Sequence, residues 1–344
     1  MARNRGTRRM IARFEPGAEQ PADVEQFFEV ELAASAHDEP QAPPPTLAAV
    51  TGRLTNPQRE HWEVSFWTAD DGAGRMTGTG ALIRLGEQNP HFAVVDVTVH
   101  PEHRRRGTGT ALLRHIAAEA AEAGLTTLHA EGVHIGGPGQ AWAAALGFAV
   151  VQQTALQSLD MTHADRSSWR VSGPPGYRIA RWVDRAPDDL LPSYAAARNA
   201  IADRPHGGTS YTDTLWTPQR VRDDEAAALA ASRQTRVVVA VHEQTSELAG
   251  LTYLEVRYRR PDIAVQQDTV VLPAHRGRRL GVWMKAANLE WLAADHPQVT
   301  RVVTSTAADN EYMLAVNRQV GFSLDAATEN WEADVTGLLA RLPG

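Results

Sequence analysis

The chain contains no cysteine. That excludes disulfides, thiolate metal ligands and cysteine nucleophiles together. Lysine occurs once, at Lys285, so the 34 basic residues are otherwise arginine; the bias reads as high-GC coding rather than chemistry. No run reaches the ~18 apolar residues needed to span a bilayer. There is no excess of positive charge either, since the net charge is −7. That argues against nucleic acid or an anionic membrane as the main partner. None of the 13 histidines forms a His-x-x-x-His pair on a helix face, so no metal is expected. Arg3, Arg5, Arg8, Arg9 and Arg13 crowd the start, but no apolar segment follows them. Residues 1–9 therefore read as a basic tail rather than a targeting signal, and the expected location is cytoplasmic.

What is present is a repeat. "DVTVHPEHRRRGTG" begins at Asp96 and "DTVVLPAHRGRRLG" at Asp268, 172 residues later in a chain of 344. Leu146-Gly147-Phe148 returns as Val320-Gly321-Phe322 at an offset of 174. Two ordered motifs at nearly constant offset indicate two copies of one domain. The polar stretch Thr162–Gly176 ends in Gly-Pro-Pro-Gly, which breaks helix and strand alike. The expected division is 10–161, a linker at 162–176, and 177–344. Each half reads as a short strand, a helix, a strand meander, a long strand, a helix, a strand, a short helix and a closing hairpin. That order is α+β, not doubly wound.

In the first copy a strand ends at Val99 and a helix begins near Gly107. Amides at a helix start lack partners and carry partial positive charge. Glycine lets a ligand approach the backbone closely. Together these features suit a phosphate. The loop is not a P-loop, because Thr110-Ala111 follows Gly109 where Lys-Ser/Thr is required. It is not a dinucleotide fingerprint, because Leu112 replaces the third glycine.

The stretch Val99-His100-Pro101-Glu102-His103-Arg104-Arg105-Arg106-Gly107-Thr108-Gly109 resembles motif A of the GNAT acyl-CoA N-acyltransferase superfamily. The resemblance covers both halves, through strand order, motif, following helix and later Gly-Phe. It implies two tandem GNAT domains, each a twisted mixed sheet flanked by helices. The sheet would splay beside the motif strand to admit acyl-pantetheine, with acetyl-CoA as co-substrate. In the first half it implies coenzyme contacts at Val97, Val99, Arg104, Arg105, Arg106, Gly107, Thr108, Gly109 and Thr110. In the second half it implies Arg276, Gly277, Arg278, Leu280, Gly281 and Asn310. The family binds phosphate mainly through backbone amides, so Arg105 and Arg106 can also be read as loop surface. Arg279 stands where Gly107 stands in the first copy and either crowds the phosphates or points away. Because its loop is intact, the first half is expected to hold the coenzyme.

Acyl transfer to an amine needs a base and a donor for the oxyanion. The resemblance implies a backbone N–H of a bulged motif strand as that donor. Asp96 and Asp268 lie on the motif strands and are candidate bases or amine ligands. Glu131 and His134 lie just beyond the next strand of the first copy, near where an acceptor could sit, with His134 also readable as surface; Glu255 is a weaker choice. The tyrosine that protonates the departing thiolate in many family members is Ala143 in one copy and Asn317 in the other. Asn317 can hydrogen-bond sulfur but cannot act as an acid. Tyr312 lies one turn off. Tyr194, Tyr211 and Trp216 either line an acceptor pocket or pack in the core. Tandem mycothiol synthases share the architecture, without a close motif match beyond the loop. The expected activity is acetyl transfer from acetyl-CoA to a primary amine of a small molecule, by a monomer or homodimer. A non-catalytic acyl-CoA-binding or sensing module, and a protein N-acetyltransferase, are the alternatives.

Overall fold

The computed structural model describes residues 10–16, 21–40, 42–55 and 62–343. The basic tail at 1–9 lies outside them. The N-terminal half runs β1 (Ile11–Phe14), α1 (Pro21–Asp38), α2 (Leu47–Thr55), β2 (Glu63–Asp70), β3 (Met76–Arg84), β4 (Phe92–Val99), α3 (Thr108–Glu122), β5 (Thr127–His134), α4 (Pro138–Ala145) and β6 (Ala149–Asp160). The C-terminal half runs β7 (Tyr177–Val183), α5 (Leu191–Asn199), α6 (Pro218–Ala230), β8 (Arg233–His242), β9 (Leu248–Arg257), β10 (Arg260–Val271), α7 (Leu280–Asp295), β11 (Arg301–Ala307), α8 (Glu311–Gln319), β12 (Ser323–Asp334) and α9 (Val335–Arg341). Helices α2, α6 and α9 are additions to the sequence reading. α6 buries only Val221 and Ala228, too little for an apolar stripe, and is announced instead by Thr217, whose side chain accepts from the Arg220 amide at 3.2 Å.

One twelve-stranded sheet crosses the molecule in the order β1-β2-β3-β4-β5-β12-β6-β11-β10-β9-β8-β7. The closing hairpins expected from the sequence do not form. β6 leaves its own half and pairs antiparallel with β11, from Asp160↔Arg301 to Thr154↔Ala307. β12 makes the reverse crossing and pairs with β5, from Asp334↔Thr127 to Thr328↔His134. The two exchanged strands also pair with each other. Strand alternation says which residues share a face but not which strand lies alongside, so the exchange is invisible in the sequence.

Each core is therefore completed by the other half. Trp331, Ala333, Val335 and Leu338 pack with Leu112, Leu113 and Ile116 of α3. Leu159 and Met161 pack with Leu289 and Leu292 of α7. The linker contributes too, through a 3-10 turn at Arg166–Trp169 whose buried Trp169 donates to Val320 O at 3.0 Å. The apolar run Val237–Val241 of β8 divides between two clusters, Val237, Val239 and Val241 on one face and Val238 and Ala240 on the other. A strand covered on both faces needs no polar alternation.

The sheet opens where β4 leaves β5. Those parallel strands pair only from Phe92↔Thr127 to Val94↔His129, while β4 stays on β3 as far as Val99↔Gly78. β10 and β11 repeat this, pairing only from Ile263↔Arg301 to Val265↔Val303.

Candidate active site

The opening beside β4 leads into a cavity of about 890 Å³ walled by α1, β4, the loop into α3, and α4. One end is the start of α3. Gly107 caps the helix at φ 84° with no side-chain capping bond. Ala111 is the first amide to reach a helical carbonyl, Gly107 O at 3.0 Å. The amides before it lack intrahelical acceptors, which is what an anion requires. A Cβ at Gly109 would lie 3.4 Å from Val99 Cγ2 and 3.5 Å from Trp142 Cζ2, so this passage is open because the residue is glycine. Strand alternation adds further donors. His100 N–H donates to Thr77 O on β3, so the amides of Val97 and Val99 face the opening.

The lining also carries the carboxylates Glu31, Asp38, Glu39 and Asp96, with Arg53 paired to Glu31. Burial pushes the Glu31 carboxyl up, and the nearby Asp96 charge pushes the same way; an ion pair with Arg53 opposes both without cancelling them. Asp96 is exposed to the cavity and accepts from Thr98 Oγ1 at 3.3 Å. Sequence reading named Asp96 but missed Glu31. The signal was present: Val24, Phe27 and Ala34 form a buried stripe on α1, and Glu31 occupies the stripe position between Phe27 and Ala34.

Arg104 and Arg276 were expected as coenzyme contacts, and the structure ties both to the protein. Arg104 Nε donates to Val99 O at 3.1 Å, and its two Nη groups donate to Asp38 at 2.7 and 2.6 Å. Burial raises the Asp38 carboxyl, but the hydrogen bonds from Arg104 and His37 outweigh it and hold it below its ordinary value. Arg276 repeats the device, with Nε on Val271 O at 3.1 Å and Nη2 on Asp203 at 2.7 Å. Both arginines therefore brace the loop. Arg105 is exposed but lines the cavity, whereas Arg278 bonds Ala274 O and Arg276 O within its own loop.

The two loops share one backbone shape. Arg105 and Gly277 have φ of 60° and 78°, and Gly107 and Arg279 have φ of 84° and 62°. Each loop holds two left-handed residues and supplies glycine at only one of them. A non-glycine residue pays about 1–2 kcal/mol there, so Gly107→Ala should lower stability by about that amount. Arg279→Gly should leave stability unchanged or raise it by up to about 1 kcal/mol, because added chain entropy offsets part of the relief. Thermal denaturation of both variants checks this. Arg279 points into solvent and leaves the start of α7 uncapped, as in α3.

The remaining candidates separate. Asp268 is half-buried at a bulge, where Gln266 pairs with Leu254 but Thr269 with Thr252; β3 and β4 show no such shift around Asp96. The strand bulge expected of a motif strand is thus found in the C-terminal half. Asn310 caps α8, accepting from Met313 N at 3.1 Å. Asn317 is fully buried and bonded to Lys285, Gln157 and Thr306. The Tyr312 hydroxyl lies 3.9 Å from where a Gly281 Cβ would sit. Glu255 is buried against Arg233 at 2.8 Å. His134 bridges to Glu39 at 2.8 Å, and Glu131 is exposed 3.8 Å from His129. Tyr194 packs in a core cluster, Trp216 stacks on Arg198 at 3.2 Å, and Tyr211 packs on Phe92 of the other half. His100, Glu102 and His103 place ligand-type atoms within 4.8 Å on an open turn, but His100 Nδ1 already accepts from the Glu102 amide. Among the described residues no helix is long and apolar enough to cross a membrane.

The Acetyltransferase (GNAT) family model matches residues 26–148, a span that contains every residue lining the cavity. A tandem GNAT protein from the clavulanic acid biosynthesis pathway, solved without AcCoA, superposes with a TM-score of 0.79 at 29% identity, covering 95% of this chain and 99% of that one. The N-terminal half thus matches the GNAT acetyltransferase model, and the whole chain shares the architecture of a tandem GNAT protein. The chain also aligns with mycothiol acetyltransferases. That of Mycobacterium avium (strain 104) is 26% identical over 310 residues, 88% of this chain and 92% of the relative. That of Cellulomonas flavigena is 25% identical over 318 residues, 90% of this chain and 85% of the relative. The similarity extends well past the loop, further than the motifs alone indicated. A GCN5-related N-acetyltransferase from Sphaerobacter thermophilus, 13% identical with a TM-score of 0.69, shares the fold.

Proposed function

We propose that the N-terminal half of this N-acetyltransferase binds acetyl-CoA and acetylates a primary amine of a small molecule. One observation carries the reading: a single cavity joins the uncapped start of α3 to the carboxylates Glu31 and Asp96. The amides of residues 108–110 would hold the pyrophosphate, with Gly109 leaving room between Val99 and Trp142. Acetyl-CoA supplies the thioester that an amine attacks. Asp96 and Glu31 attract the amine as its ammonium form. Glu31, raised by burial, is suited to take the proton. The amides of Val97 and Val99 offer donors for developing negative charge. Ala143 has no proton to give, so no acid acts from that position. The names of the relatives support acetyl transfer, and the neighbouring carboxylates of Glu31 and Asp96 support a cationic acceptor.

A panel of primary amines with a thiol-release readout tests this. Release above background is expected with at least one amine. Glu31→Gln should then lower kcat/KM by about 10²–10⁴-fold, the range for loss of a general base. Because the Glu31 carboxyl is raised, the wild-type rate should fall on acidification at a pH above the ordinary value of 4.5. The Gln variant should lose that limb. Full activity in both Glu31→Gln and Asp96→Asn would move the reaction out of this cavity. The bulge at Gln267–Asp268 favours the C-terminal half as the second reading.

A further inference from the structure

The acceptor and coenzyme walls of the cavity come from the N-terminal half, yet the helix forming one of them is anchored by a residue of the other half. β12 runs beside β5 and sets Glu329 opposite Val133. Glu329 is 6% exposed. Its Oε2 accepts from Gln140 Nε2 of α4 at 2.9 Å, and its Oε1 from Gln153 Nε2 of β6 at 3.3 Å. Gln140 Oε1 in turn accepts from the Gly136 amide at 2.8 Å, which fixes the turn between β5 and α4. One residue further along β12, Asn330 Oδ1 accepts from the Gly132 amide of β5 at 3.1 Å.

That matters because α4 is the cavity wall facing α3. Pro138, Gly139 and Trp142 line the cavity, and Trp142 Nε1 donates to Thr110 Oγ1 in the first turn of α3 at 3.3 Å. A continuous chain of contacts thus links Glu329, Gln140, α4, Trp142 and the start of α3. The C-terminal half repeats the principle. There β6, from the N-terminal half, presents Gln157 to Asn317 of α8 at 2.8 Å. In both halves the helix after the splayed strand is bonded through a side chain of the exchanged strand.

We infer that Glu329 is a positioning residue for the coenzyme site of the N-terminal half, acting through Gln140, so that this site is complete only when β12 is in place. The inference rests on the reading of that half as the coenzyme site. The experiment measures the dissociation constant of coenzyme A by calorimetry on the full chain. All proteins carry Gly281→Leu, which fills the equivalent passage in the C-terminal half. Gln140→Ala and Glu329→Ala should each weaken binding about tenfold, and the double variant by about the same factor rather than a hundredfold, because coupled residues are non-additive. Glu329→Gln keeps an acceptor oxygen for Gln140 and should stay within about threefold of the parent.

A purely structural role would lower the melting temperature of the variants while leaving the dissociation constant within about twofold; that outcome overturns the inference. So does a double variant showing the product of the single effects. Gln140→Ala changes a half-exposed side chain and keeps the test valid if Glu329→Ala does not fold. A parent that binds no coenzyme A overturns the N-terminal site itself, and this inference with it.

Discussion

Gly109→Leu is expected to remove acetyl transfer, by roughly a hundredfold or more, whereas Gly281→Leu should leave at least about half of it. The reason is local geometry. At Gly109 the first side-chain carbon would already stand 3.4 Å from Val99, 3.5 Å from Trp142 and 3.7 Å from Val97. Three further carbons would fill the passage between β4 and α4 and cover the amides of the first turn of α3. A hydrogen bond to a charged group contributes about 1.5–3 kcal/mol, so losing one or two already accounts for that loss. The same substitution at Gly281 meets Val271, Thr269 and the Tyr312 hydroxyl at 3.8–3.9 Å. It should therefore block the second loop while sparing the first. Gly109→Ala, which adds only the first carbon, should retain measurable activity. Steady-state rates of the three variants, with melting curves to show that each is folded, settle which half performs the reaction. The reverse pattern, a silent Gly109→Leu and a dead Gly281→Leu, would transfer the chemistry to the half with the bulged strand.

The parts of this site that were legible in the sequence are those encoded within one short stretch. Proline ends the motif strand, a left-handed glycine turns the chain, and an alanine-rich helix starts, all inside the residues from Val99 to Thr110. The repeat made that stretch legible twice. Partners far apart in sequence were not. Arg104 looks free for phosphate until Asp38, 66 residues away, is found holding both of its Nη groups. The exchange of β6 and β12 is a choice between two slots of the same polarity pattern, which nothing local decides. Glu31 lies between these cases. Its position in an apolar stripe was visible, but its use depends on Asp96 and Arg53 reaching the same cavity.

Lys285 leads to the other large effect. This single lysine is 2% exposed on α7, and burial lowers its pKa to about 7. Its Nζ donates to Asn317 Oδ1 at 2.5 Å and lies 5.6 Å from the Phe322 ring centre. Asn317 spends its own amide hydrogens on Gln157 and Thr306. Between pH 7 and the ordinary lysine value of 10.5, the unfolded chain holds a proton that the folded chain has released. Stability must therefore rise with pH across that window, by at most about 1.4 kcal/mol per pH unit. Tyr194 and Tyr253 have raised values, so their opposing contribution begins only near their ordinary value of 10. From pH 7 to 9 this contributes at most about 2.3 kcal/mol, so the melting temperature should climb by roughly 3 °C for a chain of this length. Lys285→Met should flatten that slope, while leaving Asn317 Oδ1 short of a donor at a cost of about 1–3 kcal/mol. A wild-type melting temperature that is flat or falling over this range, or a Met variant with an unchanged slope, would refute the buried amine as its source. The same bonds bear on chemistry. With its oxygen and both amide hydrogens committed to the scaffold, Asn317 has no hydrogen left for a thiolate, which supports the proposal that the transfer takes place in the other half.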